Sequence, residues 1–377
     1  MDARRLKFLG MVGSRLRNTL YLLARGKFRN AYCYLWSAIV TRDSGIALFD
    51  PLWRRFPALT PYPEAIEIEP TTRCHLRCVI CEHTFWKEPV RDLSYAQFRQ
   101  IVDQFPRLKW LGLTGIGSSF LNPDYMKMLE YAKSKGMYVE FYDTFTLVDD
   151  KIAERIIDLN IDRIWLSIEA TTKETYEKIR VGANFEKVIA NIKTFFEIKK
   201  RKKALLPEVW FHFIINKYNY PEMLAYVDFV AELMKDVPQA ASLIFYTGLM
   251  DFKETKDLRV DNVSEELKNK IEEAAHKKGI FVNWNENISR KQCPSMCTKW
   301  SEPFILSSGH IQPCCVLNEA NDREFQKNNA FMNLLEGDFR NFWRSKEFKS
   351  FLSTLKSNRF PQVCKNCKVY STIGGKK

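Results

Sequence analysis

The sequence has no long hydrophobic run near its N-terminus and no secretory signal. The longest apolar run there covers residues 31–40 of the 377-residue chain, about half of the roughly 20 residues that a bilayer-crossing helix needs. The ten cysteines therefore come without the context of a secreted, disulfide-stapled protein. We expect a cytoplasmic protein whose thiols bind metal.

The composition is that of a globular protein with an uneven charge. Apolar residues make up 46% of the chain, enough for one large domain and a smaller one. The net charge is +13, and residues 1–45 supply nine Lys or Arg against Asp2 and Asp43, a balance of +7. Leucines interleave with these charges at helical spacing, which predicts basic amphipathic helices over residues 1–60.

Two interpretations of this N-terminal segment stay open. It could lie on an anionic membrane surface at the inner face of the membrane, or receive an acidic partner. Alternatively, it could cover the main domain with its basic face in water.

Three cysteines follow a predicted strand at residues 65–68. Cys74, Cys78 and Cys81 have the spacing C-x3-C-x2-C, and Pro70 ends the strand before them. A cubane iron-sulfur cluster normally takes four thiolates, so a group of three leaves one iron open to another ligand. A structural zinc site or buried free thiols are the alternatives, although zinc favours four ligands and paired C-x2-C units.

This motif resembles that of the radical S-adenosylmethionine (radical SAM) superfamily. The resemblance implies that Cys74, Cys78 and Cys81 hold a [4Fe-4S] cluster and that SAM caps its fourth iron. It further implies reductive cleavage of SAM to a 5'-deoxyadenosyl radical, with a reductant such as flavodoxin or ferredoxin.

Short β-rich runs alternate with longer helical runs from residue 64 to about 250. The pattern predicts six strands, at residues 65–68, 110–114, 138–142, 164–168, 209–215 and 243–246. Helices are predicted between them, at residues 94–105, 123–135, 151–159, 185–200 and 221–234, and a further one follows at 264–278. We expect an α/β fold, a partial (β/α)6 barrel of the radical SAM type, with functional residues at the carboxyl ends of the strands.

Two strand ends are similar to nucleotide-binding motifs of that superfamily. Gly115, Gly117 and Ser118 stand where the family has a Gly-Gly-Glu-Pro loop, with Ser118 in place of the glutamate. Ser167 and Arg180 match a Ser-x-Asp-Ala strand end and the Tyr-x3-Arg-x-Gly turn after it. The resemblance implies that these five residues bind SAM.

Neighbouring polar residues have simpler interpretations. Arg180 could instead pair with Glu174 or Glu177 on its own helix. Thr144 is a weaker candidate for the SAM-binding site. His212 is expected to be an ordinary hydrogen-bonded barrel residue.

A second cysteine set lies near the C-terminus. Its members are Cys293, Cys297, Cys314, Cys315, Cys364 and Cys367. Four of these thiolates could close a cluster or a zinc site. The segment is similar to a SPASM-type domain, which implies an auxiliary [4Fe-4S] cluster.

The preferred auxiliary ligands are Cys297, Cys314, Cys364 and Cys367. Cys315 could replace Cys314, and Cys293 could replace Cys297. No cysteine follows Cys367 before Lys377, so we expect one auxiliary cluster rather than two.

These expectations divide the chain into a helical extension (1–60), a radical SAM partial barrel (61–282) and an auxiliary iron-sulfur domain (283–377). The predicted activity is oxidation or epimerisation of a peptide or a small polar, sugar-like metabolite, with no catalytic side chain assigned. A noncatalytic electron-transfer protein and an RNA-modifying radical SAM enzyme are the alternatives; nucleic acid is not the expected partner.

Overall fold

The structure, a computed structural model, describes residues 3–40, 50–238, 242–250, 253–285, 299–315, 323–356 and 364. The chain forms two compact units. The first unit comprises Met1–Leu35, Cys74–Phe85 and Lys133–Asn287, and the second comprises Trp36–Arg73, Trp86–Ala132 and Ile288–Lys377. Each unit thus combines segments that are far apart in sequence.

The described residues contain strands and α-helices that largely alternate in the middle of the chain. The strands are β1 Ala65–Ile68, β2 Trp110–Leu113, β3 Tyr138–Asp143, β4 Arg163–Ser167, β5 Glu208–Ile215, β6 Ser242–Gly248, β7 Ile280–Asn285, β8 Phe304–Ile305, β9 His310–Gln312 and β10 Met332–Asn333. The helices are α1 Ala3–Ala24, α2 Phe28–Val40, α3 Asp50–Arg55, α4 Tyr95–Val102, α5 Tyr125–Ser134, α6 Asp150–Asp158, α7 Lys173–Ile179, α8 Phe185–Lys202, α9 Ala225–Leu233, α10 Glu265–Lys277, α11 Arg323–Asn328, α12 Phe339–Arg344 and α13 Lys346–Lys356.

The first unit holds five parallel strands in the order β3-β4-β5-β6-β7. All six predicted strands are present, with ends within two residues of those expected. The sequence prediction missed β7, which pairs with β6 and runs across the boundary expected between residues 282 and 283. Because β7 is parallel and follows α10, it completes one more βα repeat.

Local capping explains where several helices begin and end. The hydroxyl of Ser94 accepts a hydrogen bond from the backbone N–H of Gln97, and the side chain of Gln97 accepts one from the backbone N–H of Ser94, so α4 starts with a capping box. Asp149, Thr172 and Asn184 cap α6, α7 and α8 in the same position. Gly136, with φ +72°, lies just after α5.

The second unit contains a mixed sheet. β1 pairs in parallel with β2 on one side and with β8 on the other, and β9 and β10 continue the sheet as antiparallel strands. The N–H groups of Glu67 and Glu69 donate to the carbonyls of Pro303 (3.0 Å) and Ile305 (2.8 Å). The C-terminal segment therefore extends the sheet that carries β1.

Helices α1 and α2 lie within residues 1–60, for which the sequence predicts a basic helical extension. Up to Leu35 they belong to the first unit, where Leu22 and Ala31 are buried. No helix in the described ranges is both long and apolar enough to cross a bilayer.

Candidate active site

The loop of Cys74, Cys78 and Cys81 lies against the C-terminal end of α7. The N–H of Val79 donates to the carbonyl of Ile179 (2.9 Å), and the N–H of Arg77 donates to that of Val181 (2.8 Å). Leu76 and Ile80 are buried in a cluster with Cys78, Ile179 and Leu249, and Cys74 and Cys81 pack against it. The buried side chains of Leu76 and Ile80 thus hold the loop in place, and its three thiols lie close together in sequence.

Three closely spaced thiols, one buried and two half-buried, can bind a metal cluster. Burial raises the pKa of Cys78 and raises the pKa of Cys81 to about 12. A bound metal cation offsets that cost because it stabilises the thiolate form. Three sulfur donors with no fourth cysteine on the loop also match an iron-sulfur cluster with one open iron. In the described part of the chain, no group of three or more His, Cys, Asp or Glu side chains is arranged to hold a single metal ion.

Arg180 is the charged group beside these thiols. Its Nη1 lies 3.6 Å from the Sγ of Cys78 and donates a hydrogen bond to it. Its Nε donates to Oε2 of Glu169 (2.8 Å), and its Nη2 donates to Oε1. The guanidinium therefore pairs with Glu169, which is fully buried, rather than with Glu174 or Glu177. Its role in binding SAM stays a prediction.

Ser167 ends β4 beside an aromatic and uncharged wall. Its register partner on β5 is His212, whose own partner on β6 is Phe245. The rings of Tyr142 and Trp165 stack at 5.2 Å with an interplanar angle of 7°. Trp165 lies 6.3 Å from the ring of His212 and 5.4 Å from that of Phe245, both nearly edge-on, so the first unit groups four aromatic rings next to Ser167.

His212 is hydrogen-bonded, as expected. Its Nε2 lies 2.9 Å from Oγ1 of Thr247, while its Nδ1 is buried with no hydrogen-bond partner among the described residues. Burial lowers the pKa of His212 to about 3. The ring is therefore neutral at physiological pH, and it carries one nitrogen available to a ligand.

Asp143, at the end of β3, is a site candidate that the sequence analysis did not select. Burial raises its pKa to about 7, although the N–H of Phe145 donates to its Oδ1 at 2.6 Å. The neighbouring Thr144 hydroxyl lies 3.1 Å from that of Thr146. The aspartate that begins an Asx turn at the end of β3 was the only sequence signal for Asp143. Its burial, which raises its pKa, is visible only in the structure.

Gly115 and Gly117 lie against the chain that leads into Cys74. A Cβ on Gly115 would come within 2.5 Å of Cγ of Glu69, and one on Gly117 within 2.5 Å of the carbonyl oxygen of Thr71. The N–H of Ser118 donates to the carbonyl of Arg73 (2.8 Å). Both glycines are thus explained by close packing within the second unit, and SAM contacts by Gly115, Gly117 and Ser118 stay a prediction.

Glu69 forms a buried network that the sequence did not indicate. Its carboxylate accepts from the N–H (3.1 Å) and hydroxyl (2.9 Å) of Ser307, and from Nη2 of Arg323 (2.8 Å). The guanidinium of Arg323 also lies 4.4 Å from the ring centre of Trp86. The strand before the first cysteine loop is therefore tied to the C-terminal segment by a fully buried charge.

The auxiliary cysteines are only partly within the described residues. Cys314 and Cys315 follow the β8–β9 hairpin, which turns at Gly309 with φ +86°. Cys364 packs against the cluster of Trp300, Phe348 and Leu355. The predicted ligands Cys297 and Cys367, and the alternative Cys293, lie outside the described residues.

Comparison with known families agrees with this geometry. Residues 68–230 match the Radical SAM superfamily model, and residues 293–368 match the SPASM iron-sulfur cluster-binding domain. Residues 68–230 therefore form a radical SAM domain, and a SPASM domain follows it. The two matched domains imply a SAM-binding [4Fe-4S] cluster, auxiliary iron-sulfur ligation and SAM itself as cofactors.

Two curated relatives and one solved structure are similar over most of the chain. The tungsten-containing aldehyde ferredoxin oxidoreductase cofactor-modifying protein of Pyrococcus furiosus is 26% identical over 325 residues, covering 80% of this chain and 86% of that protein. The PqqA peptide cyclase of Granulibacter bethesdensis is 22% identical over 321 residues, covering 81% and 79%. Streptococcus suis SuiB bound to S-adenosylmethionine has a TM-score of 0.59 at 15% identity, covering 85% of this chain and 74% of that chain. The radical SAM fold predicted from the sequence is confirmed.

Proposed function

We propose that this radical SAM enzyme oxidises a peptide or a small polar metabolite after removing one of its hydrogen atoms. The observation that carries the proposal is the loop of Cys74, Cys78 and Cys81, with the Arg180 cation 3.6 Å from one thiol. A buried site that combines three sulfur donors with a fixed positive charge suits a cluster that must accept an electron.

The cofactors supply the radical chemistry. When bound, SAM and the first cluster would supply a radical that takes a substrate hydrogen, and the auxiliary cluster would supply an acceptor for the electron left on the substrate. The residues of the chain bind and orient. Cys74, Cys78 and Cys81 hold the first cluster, and Cys297, Cys314, Cys364 and Cys367 hold the auxiliary one, with Cys315 and Cys293 as the alternatives.

The wall of Tyr142, Trp165, His212 and Phe245 has the properties of a substrate surface. It is aromatic and, because His212 is neutral, uncharged. Such a surface excludes water and packs against a planar or apolar part of a substrate, and Nδ1 of His212 offers one directional hydrogen bond.

The names of the relatives support a modification reaction. One relative is a cofactor-modifying protein and another is a peptide cyclase, so both a peptide and a small metabolite remain within the proposal. Net oxidation is favoured over epimerisation because the SPASM match spans residues 293–368, and a second cluster provides an acceptor for the electron. We further propose a flavodoxin- or ferredoxin-type reductant and a cytoplasmic location.

The test is anaerobic turnover of the reconstituted full chain with SAM and reductant. We expect 5'-deoxyadenosine from the wild type, none from a Cys74→Ala/Cys78→Ala/Cys81→Ala variant, and unchanged formation from Cys33→Ala, which replaces a buried thiol of α2. The triple variant should also lose about four irons per chain. Unchanged iron in that variant would contradict the cluster assignment.

The substrate class is determined from deuterium transfer. Fractions of a deuterated cell extract that place deuterium in 5'-deoxyadenosine contain the hydrogen donor. Transfer from a peptide or small-metabolite fraction supports the proposal, whereas transfer from RNA supports the nucleic-acid alternative. A fully iron-loaded wild type that makes no 5'-deoxyadenosine would show a noncatalytic iron-sulfur protein, and deuterium incorporated from heavy water into product would show epimerisation.

A further inference from the structure

The buried side of helix α1 is polar. The side chains of Ser14 and Asn18 both donate hydrogen bonds to Oε1 of Glu208, the latter at 2.9 Å. Asn18 also donates to the hydroxyl of Tyr34 (2.7 Å), and it is fully buried together with Leu22. Positions 14, 18 and 22 repeat every four residues, so these contacts fix which side of the helix faces the first unit.

The opposite side of α1 and the outer side of α2 are apolar. Exposed fractions reach 57% for Leu16, 56% for Leu20, 70% for Phe28 and 54% for Tyr32. Val12, Leu23 and Leu35 are also exposed, at 42%, 39% and 50%. These seven residues form what we call the outer face. It reverses the usual pattern, in which the water-facing side of a helix carries polar residues.

The charges on these helices have one sign. Arg17, Arg25 and Arg29 are exposed between the apolar residues. Residues 3–42 contain no Asp or Glu at all. The apolar side chains of the outer face are thus flanked by guanidinium groups. A guanidinium pairs with phosphate oxygens through two hydrogen bonds.

We infer that the outer face binds the surface of an anionic lipid membrane. Leu16, Leu20 and Phe28 enter the boundary between headgroups and acyl chains, while Arg17, Arg25 and Arg29 contact lipid phosphates. A second copy of the chain fits this face less well. An isologous dimer would bring the same arginines of both copies together, with no acidic residue on the helices to offset them.

The position of the outer face leaves the chemistry accessible. Helix α1 contacts Glu208, the first residue of β5, whereas Ser167 is the last residue of β4 and the cysteine loop lies against Ile179 and Val181, which follow β4 along the chain. Because the ends of parallel strands lie on opposite edges of the sheet, membrane binding occurs away from the radical site.

The test is co-sedimentation of the full, reconstituted chain with vesicles. Phosphatidylcholine vesicles with about one third phosphatidylglycerol should bind the protein about a hundredfold more strongly than pure phosphatidylcholine, at low ionic strength. Arg17→Ala/Arg25→Ala/Arg29→Ala should lose about a hundredfold in affinity, at about fivefold per arginine. Leu16→Ser/Leu20→Ser should lose about tenfold.

Matched controls separate the contribution of the outer face from the effect of removing charge or apolar surface elsewhere on the protein. Lys151→Ala/Arg155→Ala/Arg201→Ala removes the same charge from exposed positions on α6 and α8, and Val90→Ser removes an apolar side chain that is 61% exposed. Both should bind vesicles like the wild type. All four variants should keep wild-type iron content and 5'-deoxyadenosine formation.

Three results would overturn the inference. The first is no binding of the wild type to the anionic vesicles, and the second is equal loss in the outer-face and control variants. The third is a concentration-dependent dimer in sedimentation velocity that Leu16→Ser/Leu20→Ser abolishes while vesicle binding is absent, because the face would then join two copies of the chain.

Discussion

Arg180 and Glu169 form a buried bidentate ion pair in which the arginine also reaches the Sγ of Cys78 at 3.6 Å. The side chain of Glu169 is fully buried and that of Arg180 is 10% exposed. The same guanidinium thus neutralises a carboxylate and donates a hydrogen bond to Cys78, a predicted cluster ligand. The backbone carbonyl of Glu169 accepts from Nδ2 of Asn219 (2.9 Å), which further fixes the end of β4.

Removal of this arginine should be costly. Arg180→Ala leaves Glu169 charged and unpaired in the interior, and should lower the free energy of unfolding by about 3–5 kcal/mol. The control is Lys173→Ala, in an ion pair with Glu186 whose side chains are 48% and 60% exposed; it should cost below about 1 kcal/mol. Anaerobic denaturant titration measures both. Equal costs would contradict the structural role of the Arg180 pair.

Gly117 should tolerate no side chain. In Gly117→Ala the new Cβ would lie 2.5 Å from the oxygen of Thr71 and 2.6 Å from that of Arg73. Because those are backbone atoms, the segment before Cys74 must move, at a cost of about 1–3 kcal/mol and with loss of iron from the first cluster. Iron analysis and thermal unfolding measure the change.

Gly13→Ala is the matched control for that substitution. Gly13 lies within α1, and a Cβ added there would meet no atom of the described residues within 4 Å outside its own helix backbone. The variant should gain about 0.5–1 kcal/mol, since alanine favours the helix, and keep all iron. Equal iron in the two variants would show that the close approach at Gly117 does not position the cysteine loop.

The two adjacent cysteines of the C-terminal segment should differ in their importance for iron binding. Consecutive side chains point in different directions, so one thiol of the pair Cys314 and Cys315 can face a cluster. We expect Cys314→Ala to lose about four irons per chain and Cys315→Ala to retain them. Iron analysis and the absorbance of the reconstituted protein measure the difference. The reverse result would transfer the ligand role to Cys315.

Lys199 should make stability depend on pH. It is fully buried, its Nζ donates to the carbonyls of Leu205 (3.0 Å) and Pro207 (2.8 Å), and burial lowers its pKa to about 7. Above about pH 7 the unfolded chain holds a proton here that the folded chain has released. The free energy of unfolding should therefore rise with pH up to about 10, by at most about 1.4 kcal/mol per pH unit.

The contribution of Lys199 to the pH dependence of the free energy of unfolding is measured by comparing variants. Lys199→Met should lose this rise between about pH 7 and 9, while Lys193→Met, at an exposed position of the same helix, should keep it. Denaturant titrations at several pH values provide the free energies. Identical slopes for the wild type and Lys199→Met would refute the assignment.

Local patterns were sufficient for much of the fold. The βα alternation located six strands, and a helix was predicted over residues 94–105, where α4 lies. The missed strand, β7, has six residues, as many as β3, but it follows helix α10, beyond the last strand that the sequence predicts. Pairing with β6 stabilises it, and pairing is not a property of the segment itself.

The sequence by itself determined the chemistry that the chain can hold. The spacing of Cys74, Cys78 and Cys81 is covalent information, and it indicated a three-thiolate cluster and the radical SAM superfamily before any fold was known. Only the tertiary structure decided which distant side chains contact one another within the chain. Arg323 meets Glu69 across 254 positions, and the polar side of α1 turns inward to Glu208. Such contacts depend on how distant segments pack, so no local periodicity encodes them.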